Sequence, residues 1–495
     1  MKGEEDRVPC RKGDPIPVRR VWRDGPAPDA SGAGMGEWTV FDFAATYPVG
    51  EIRLAPEWFA AGKDRIAIEC SLNGKQWHPA CEASRPANGE SAAQAGDVHA
   101  RYVRIAATSD ASAPPAAHFA AGTGLAAEPA EDWTRLFHRK KGWTGGDGIY
   151  SIALNGADTH GRAAETKTLF VFGDTFIGDV DEATDARLEP VVMINNSLAI
   201  LEGDRPDPAA ITFRWNREGD TPASAIVPTT PNALKEKGAY YWLQDAASVG
   251  GWFHCFPLII GPNPDGPEGF QFTVHGVAHV AAPMGPDGPE LERQVQQDTP
   301  LYFRSAGGHT TYFGAAIMPN TEEAGVPDPD GYVYIYGLQQ DGGTKLVAAR
   351  VPAGDLGRIE CWRYWNGREW TERKEDCAPI VPDVSCELSV SPMVGGFLHG
   401  KYVIVCQLGG ITGNCVAVYW GDSPVGPFGP CVPLHYCSEP EEGKGIYAYN
   451  AKGHPHLSPA GELLVSYNVN TTSMDAHMAH AGIYRPRFVR IRQIS

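Results

Sequence analysis

The chain has 495 residues, a formal net charge of -18 at pH 7 and 42% hydrophobic residues. This length exceeds one ordinary core and predicts two or three structural units or one large repeat fold. The negative charge disfavours nucleic acid and anionic membrane surfaces as partners, because binding to either depends on Lys and Arg that neutralise phosphates. No apolar run in the sequence approaches the roughly 18 residues that a membrane-spanning helix needs.

The composition favours strands over helices. The chain contains 18 Tyr, 18 Phe and 13 Trp beside 57 Gly and 41 Pro, which is typical of many short strands joined by tight turns. We therefore predict an all-β protein.

The 11 cysteines form no C-x-x-C pair and no Cys/His spacing typical of zinc. An odd number of cysteines in a large chain favours reduced thiols. The first residues also lack the apolar centre of a signal peptide. These features predict a cytoplasmic protein, or a secreted one if an export signal has been trimmed from the sequence.

Four regions are predicted along the chain. Residues 1–34 are polar and rich in Pro, Arg, Asp and Gly, which is typical of an arm that docks on a neighbour or stays loose. Residues 35–107 alternate in the period of strands and predict a small β-sandwich. An Ala/Pro/Gly-rich linker is predicted at 108–132. The main domain occupies residues 133–495.

The run Val40–Phe43, the turn Ser71–Trp77 and the run Ala100–Ile105 resemble the discoidin, or coagulation-factor type C, family of β-sandwiches. The resemblance covers residues 35–107 and lacks clear opening strands. Relatives of that family in polysaccharide-degrading enzymes are carbohydrate-binding modules. The resemblance therefore implies a sandwich that either binds glycan or only braces the enzyme.

A degenerate three-strand repeat occupies the main domain, with a polar first strand and a strongly apolar second strand in each unit. The predicted first strands are Asp147–Leu154, Tyr240–Ala247, Thr310–Met318, Glu387–Met393 and Asn450–Leu457. The predicted second strands are Leu169–Phe172, Trp252–Ile260, Tyr332–Tyr336, Tyr402–Cys406 and Leu463–Tyr467. Five β units without helical crossovers predict a five-bladed β-propeller with the first strands innermost.

Three acids are the candidate catalytic residues. Asp147 opens the first inner strand, Asp174 follows the neighbouring strand, and Glu387 stands on a strand otherwise suited to burial. In a propeller these positions converge on the channel mouth, because the start of one strand lies beside the end of its antiparallel neighbour. Glycosidic bond cleavage needs one protonated and one ionised carboxyl. Asp147 and Asp174 fit ordinary turn chemistry equally well.

Amides, aromatic rings and basic groups can hold sugar hydroxyls and ring faces beside these acids. The candidate substrate-binding residues are Trp143, Asn195, Asn196, Trp242, Gln244, Asp245, Gln339, Gln407, Asn450, Lys452, His454 and Asn468. Alternatively, Asn195 and Asn196 form a structural cap, Lys452 pairs with a channel acid, and His454 is a core histidine or part of an ion site. No cofactor is required, and Ca²⁺ is compatible with the channel.

Four motifs resemble a bacterial propeller family formerly without an assigned function: Trp143–Gly148, Leu169–Thr175, Val347–Val351 followed by Tyr364–Trp370, and Tyr449–Pro455. That family is similar to the five-bladed endo-D-arabinanases and, more distantly, to the arabinanase, fructanase and agarooligosaccharide hydrolase propellers. Their catalytic carboxylates sit on inner strands at the channel mouth.

By position, this resemblance implies Asp147, Asp174 and Glu387 as the catalytic carboxyls. The chain departs from the better-studied pattern in the run Thr310–Gly314, where no acid begins the third inner strand. Sialidase is disfavoured because no arginine cluster is apparent on the channel strands.

The sequence thus predicts a glycoside hydrolase acting on a furanose-containing or otherwise unusual oligo- or polysaccharide. Asp147 is expected as base or nucleophile, Glu387 as general acid, and Asp174 as a third acid that sets a pKa or orients substrate. A non-catalytic glycan-binding propeller and a structural or interaction platform are the alternatives.

Overall fold

The computed structural model describes residues 8–24, 38–59, 64–106, 114–266, 271–410 and 413–495. These residues form 34 strands and three short α-helices, which confirms the all-β prediction. None of the helices among them is long and apolar enough to cross a membrane. The chain divides into two compact units, with the main boundary between Pro129 and Ala130.

The first unit is organised around one long strand, β2. Its strands are β1 (Arg20–Asp24), β2 (Trp38–Leu54), β3 (Arg65–Ser71), β4 (His78–Ser84), β5 (Ser91–Ala106), β6 (Ala117–Ala121) and β7 (Gly124–Pro129). One edge of β2 pairs antiparallel with β5, and the other pairs with β1 and β6. β5 also pairs with β3, and β3 with β4. Phe41, Phe43, Trp58 and Phe119 pack in the core of this unit.

The predicted linker at 108–132 is wrong over its second half, since β6 and β7 lie there. Phe119 and Leu125 are buried, and the small alanines beside them let these strands lie close to their neighbours. The predicted arm pairs with β2 through β1. Residues 1–7, 25–37 and 107–113 lie outside the described residues. They include parts of the predicted arm, both ends of the predicted sandwich and the start of the predicted linker.

The second unit contains three helices, α1 (Glu131–Leu136), α2 (Pro231–Lys235) and α3 (Met474–Ala479). The remaining strands of the described residues are β8 (Lys141–Ala153), β9 (Lys167–Val180), β10 (Arg187–Ile194), β11 (Ser197–Glu202), β12 (Ile211–Arg214), β13 (Asn216–Glu218), β14 (Thr221–Ala223), β15 (Tyr240–Trp242), β16 (Ala246–Val249), β17 (Trp252–Cys255), β18 (Leu258–Pro262), β19 (Phe272–Gly285), β20 (Gly288–Pro289), β21 (Val295–Thr299), β22 (Tyr302–Arg304), β23 (Thr310–Asn320), β24 (Tyr332–Gln340), β25 (Thr344–Pro352), β26 (Arg363–Trp365), β27 (Trp370–Thr371), β28 (Leu388–Pro392), β29 (Tyr402–Leu408), β30 (Cys415–Gly421), β31 (Val432–Tyr436), β32 (Ile446–His454), β33 (Glu462–Thr471) and β34 (Pro486–Ile494). Of these, residues 433–436 of β31 and 489–494 of β34 belong to the first unit.

Antiparallel sheets of the second unit are arranged around a ring of inner strands. The sheets run outward as β8-β9-β11-β12, β16-β17-β19-β21, β23-β24-β25-β26, β28-β29-β30 and β32-β33. Each inner strand contacts the next, and β32 contacts β8 again, so the ring is closed. This is the architecture of a β-propeller, as predicted.

Two predicted strands of the second sheet are each divided in two. The single inner strand expected at Tyr240–Ala247 is wrong, because the structure divides it into β15 and β16. Between these two strands the Asp245 carboxyl accepts the backbone N–H groups of Ala246 and Ile317, at 2.8 and 2.7 Å. The strand expected at Trp252–Ile260 breaks between β17 and β18, where Pro257 has no N–H to donate.

Candidate active site

Strand β8 bulges around Asp147. Its register with β9 shifts between Trp143 and Gly145, between Gly146 and Gly148, and between Gly148 and Tyr150. Gly148 and Ile149 adopt left-handed φ angles of 80° and 52°, and the second is unusual for a β-branched residue. A bulge re-aims the side chain it carries, and Asp147 accordingly has no partner residue in the β8–β9 register.

Asp147 is a buried carboxyl with a partner on only one oxygen. The Tyr449 hydroxyl donates to Oδ2 at 2.6 Å, whereas Oδ1 is shielded from solvent and has no hydrogen-bond partner. Burial raises the pKa of Asp147 to about 8, with the negative charges of Asp174 and Glu387 acting in the same direction. Asp147 therefore retains its proton at neutral pH.

Glu387 lies immediately before β28 and is paired with a cation. Lys452 Nζ lies 2.5 Å from Oε2, and the two side chains are 1% and 5% exposed. The same ammonium donates to the backbone carbonyl of Gly148, next to Asp147, and lies 4.1 Å from the centre of the Tyr150 ring. Oε1 of Glu387 has no partner. Lys452 stabilises negative charge on Glu387 and connects three sheets.

Asp174 is half-buried, and Asn195 Nδ2 donates to its Oδ1 at 3.3 Å. Burial raises the pKa of Asp174 to about 6. Gly173, just before it, lies directly against Asp147: a Cβ there would lie 2.4 Å from Asp147 Oδ1 and 3.9 Å from Trp242 Nε1. The indole of Trp242 therefore lies beside the free oxygen of Asp147.

Three further predicted residues carry buried polar atoms without a partner. Asn468 donates to the carbonyl of Gly146 at 3.2 Å, which leaves its Oδ1 unpaired. Asn450 Nδ2 and Gln407 Oε1 are also buried and unpaired. Unpaired buried polar atoms are costly, and hydroxyl groups of a bound molecule would satisfy them.

Three predicted substrate-binding residues are structural instead. Trp143 is 1% exposed and stacks on Phe213 with ring centres 4.8 Å apart. The Asn196 amide accepts from the backbone N–H of Ile226 at 2.7 Å and donates to the carbonyl of the same residue at 2.9 Å. The Trp143 ring packs in the core although its Nε1 has no hydrogen-bond partner, and the Asn196 amide holds a loop.

His454 is the third of these corrections. Its Nδ1 and Nε2 lie 2.8 Å from the hydroxyls of Ser151 and Ser466, respectively, so both ring nitrogens are occupied. Among the residues that the structure describes, no group of three or more His, Cys, Asp or Glu is arranged to hold a metal ion.

Gln244, Asp245 and Gln339 also use their polar atoms within the protein. Gln244 Nε2 donates to the carbonyl of Phe256 at 2.6 Å, and Gln339 Nε2 lies 3.5 Å from Thr311 Oγ1. Both oxygens of Asp245 accept backbone N–H groups, and burial raises its pKa to about 8. These contacts hold the three side chains against the channel wall.

Tyr449 belongs to the site but was not among the predicted residues, whereas its neighbour Asn470 was expected at the channel mouth together with Asn468. In a regular strand Tyr449 would point away from the side shared by Asn450 and Lys452. The β32–β33 register shifts between Tyr449 and Lys452, and Asn450 has a φ of 63°. Asn is one of the few residues that tolerate this conformation. An Asn directly after an aromatic residue was therefore the sequence signal that could have indicated a bulge here.

A family model described as "Domain of unknown function (DUF5005)" matches residues 130–494. No curated protein matches the chain. A "putative hydrolase" from Bacteroides ovatus ATCC 8483 has a similar fold, with a TM-score of 0.55 and 20% identity over 74% of this chain and 90% of that one.

Two further structures show weaker similarity. A family 117 glycoside hydrolase from Zobellia galactanivorans matches with a TM-score of 0.36 and 10% identity, over 75% of this chain and 90% of that one. The CBM32-3 module from a family 31 glycoside hydrolase of Clostridium perfringens matches with a TM-score of 0.16 and 14% identity, over 21% and 75%. Similarity at these scores supports no conclusion about this chain.

Proposed function

This chain belongs to the family described as "Domain of unknown function (DUF5005)", and we propose that its second unit is a glycoside hydrolase built as a five-bladed propeller. The proposed reaction is cleavage of a glycosidic bond in an oligo- or polysaccharide. The description of the Bacteroides ovatus protein as a "putative hydrolase" agrees with this proposal.

One observation carries the proposal: two buried carboxyls near the ring of inner strands have different surroundings. Asp147 is protonated at neutral pH because it is buried, and Glu387 is paired with Lys452. Each also keeps one oxygen without a protein partner. A proton donor and a charged carboxylate with free oxygens are the groups that glycosidic cleavage uses.

In the proposed mechanism, Asp147 is the general acid and protonates the leaving oxygen. Glu387 is the ionised partner, acting either as the base that activates water or as the nucleophile. These roles are the reverse of those expected from the sequence, because Lys452 favours the charged form of Glu387 while burial favours the neutral form of Asp147. Asp174 keeps its expected role, since its charge raises the pKa of Asp147.

The proposed substrate is a furanose-containing glycan, as the resemblance to arabinanase propellers implies. Trp242 would contact a sugar ring beside Asp147, and the unpaired amide atoms of Gln407, Asn450 and Asn468 would bind its hydroxyls. Carbohydrate recognition commonly combines an aromatic surface with a few placed polar groups.

We also propose that the first unit is a discoidin-like module that binds glycan. A cavity of about 590 Å³ lies within it, lined by Glu51, Arg53, Gln94 and Phe119 among others. Binding of labelled oligosaccharides to the full chain, compared with Gln94→Ala, tests this role separately from hydrolysis.

Product release from a panel of furanosides, pyranosides and plant and bacterial polysaccharides tests the main proposal. Asp147→Asn and Glu387→Gln should each reduce the rate by about 100-fold or more. Asp179→Asn is the matched control, because this exposed carboxylate lies further along the same strand as Asp174. Glycan binding without cleavage would favour the non-catalytic alternative, and neither binding nor cleavage would contradict both.

A further inference from the structure

We infer that Asn470 and Tyr449 form a hydrogen-bond relay that places the proton of Asp147 on Oδ1, the oxygen without a protein partner. This inference rests on the proposed function, because it identifies the atom from which the general acid would donate. Neither Asn470 nor Tyr449 need touch the substrate, so both are positioning residues.

The first step of the relay fixes the orientation of the Asn470 amide. Its Oδ1 accepts the backbone N–H of Thr471 at 2.7 Å. The amide nitrogen therefore points the other way, and Nδ2 donates to the Tyr449 hydroxyl oxygen at 3.0 Å. An amide NH₂ group can only donate, so the Tyr449 oxygen is the acceptor in this bond.

The second step follows from the single hydrogen of the tyrosine hydroxyl. Since the Tyr449 oxygen accepts from Asn470, its own hydrogen is left for Asp147 Oδ2 at 2.6 Å. Burial, reinforced by the negative charge of Asp147, raises the pKa of Tyr449 well above its usual value, so the hydroxyl keeps this hydrogen. Oδ2 accepts this bond, and the carbonyl oxygen of a neutral carboxyl is a better acceptor than its hydroxyl oxygen, so the bond favours a proton on Oδ1 of a neutral Asp147.

The surroundings of Oδ1 are suited to delivering that proton. Oδ1 is shielded from solvent and has no partner, and it lies so close to Gly173 that a Cβ there would be 2.4 Å away. Asp174, Glu387, Tyr240, Tyr447 and Tyr484 are the other titratable groups that face this carboxyl, and a hydrogen bond from Tyr484 also lowers the pKa of Asp147. The negative charges of Asp174 and Glu387 favour retention of the proton on Asp147.

Proton transfer would then proceed from a defined atom. The Oδ1–H bond breaks as the proton passes to the glycosidic oxygen, and the bond from this oxygen to the anomeric carbon breaks with its electron pair moving to the leaving group. Water activated by Glu387, or Glu387 itself, takes the place of the leaving oxygen on the carbon. Asp147 becomes a carboxylate whose Oδ2 still accepts from Tyr449, which stabilises the new charge.

Infrared difference spectra recorded through a pH titration test the relay without any substrate. The unsubstituted chain should show a protonated carboxyl band that is absent from Asp147→Asn. In Tyr449→Phe this band should shift to higher frequency, because the carbonyl oxygen Oδ2 has lost its donor. Asp245, whose pKa is also raised to about 8, gives a band of its own, so the Asp147 band is the component that Asp147→Asn loses. A spectrum that loses no component in Asp147→Asn, or an Asp147 band that stays in place in Tyr449→Phe, would overturn the inference.

Asn470→Asp separates the relay from simple packing. The new carboxylate would accept the Tyr449 hydrogen and turn it away from Asp147, so the band should shift upward although the hydroxyl is retained. Tyr467→Phe is the matched control, because Tyr467 on β33 donates instead to Glu439 at 3.0 Å. Its spectrum should retain the Asp147 band unchanged, whereas a shift there would show that the readout does not report the relay.

Kinetics on a cleaved glycan supply a second readout. Tyr449→Phe should lower kcat about tenfold with little change in KM, on the scale of one lost hydrogen bond. The alkaline midpoint of its pH profile should rise, since the donor that lowers the pKa of Asp147 is gone. Expected spectra without cleavage of any glycan would overturn the proposed function alone, and cleavage with an unshifted band would overturn the relay alone.

Discussion

Lys452 and Glu387 form an ion pair almost wholly withdrawn from solvent, with Nζ 2.5 Å from Oε2. The two residues come from different inner strands of the ring, and the lysine also holds the carbonyl of Gly148 on a third. Removal of one partner from a buried pair leaves an uncompensated charge, which costs more than the pair itself contributes. Stability and the charge on Glu387 therefore depend on the same contact.

Lys452→Met should lower the free energy of unfolding by about 3–5 kcal/mol, because it leaves Glu387 buried and unpaired. Adding Glu387→Gln to this variant should recover much of the loss. Denaturant titration measures both effects. Arg363→Met, which breaks an exposed pair with Glu372, should change the same quantity by less than about 1 kcal/mol; equal losses in the two single variants would contradict the argument.

The contribution of Asp147 to the free energy of unfolding should fall as pH rises from about 4 to 8. Burial raises the pKa of Asp147 from 3.8 to about 8, so in this window the folded chain holds a proton that the unfolded chain releases. Each such proton contributes a slope of up to about 1.4 kcal/mol per pH unit. Asp147→Asn should flatten the slope, and Asp179→Asn should leave it unchanged. An identical slope in Asp147→Asn would refute the raised pKa.

Asp174→Asn should move the alkaline limb of the pH–activity profile to lower pH. The negative charge of Asp174 helps to hold the proton on Asp147, and asparagine keeps the shape without the charge. The profile of kcat/KM against pH measures the midpoint, with Asp179→Asn as the control on the same strand. A midpoint that rises or stays fixed would show that Asp174 does not set the pKa of Asp147.

Gly173→Ala should abolish most activity while leaving the fold intact. The added Cβ would lie 2.4 Å from Asp147 Oδ1, so this carboxyl must move, and displacement of a general acid costs on the order of 100-fold in rate. Gly343→Ala is the control, because no atom lies within 4 Å of its Cβ position. Circular dichroism and kcat together check the prediction, which fails if Gly173→Ala keeps full activity.

The fold was accessible from the sequence because burial on both faces of a strand produces an unbroken apolar run. Leu169–Phe172 in β9 and Tyr402–Cys406 in β29 are such runs, and both lie where they were expected. The strands of the second sheet were harder to predict. Asp245 and Pro257 interrupt them through local backbone effects, which leave no mark on the hydrophobic periodicity of the sequence.

The site was only partly accessible. Asp147, Glu387 and Lys452 were selected because polar residues at the starts of inner strands converge, and the structure brings them together. Tyr449 was missed because a bulge reverses the direction of its side chain. His454 was misread because its two serine partners lie on different strands, and sequence spacing carries no information about such a contact.

The order in which the chain is synthesised has a consequence for the ring of inner strands. Asp147 and Tyr449 are 302 positions apart, and Gly148 and Lys452 are 304 apart. Contacts between such distant segments form late, because the chain between them must first be ordered. A nascent propeller that has made only its early sheets therefore has Asp147 without its tyrosine and Glu387 without its lysine. The appearance of the elevated Asp147 pKa during refolding would mark ring closure, which makes this acid an internal reporter of the last folding step.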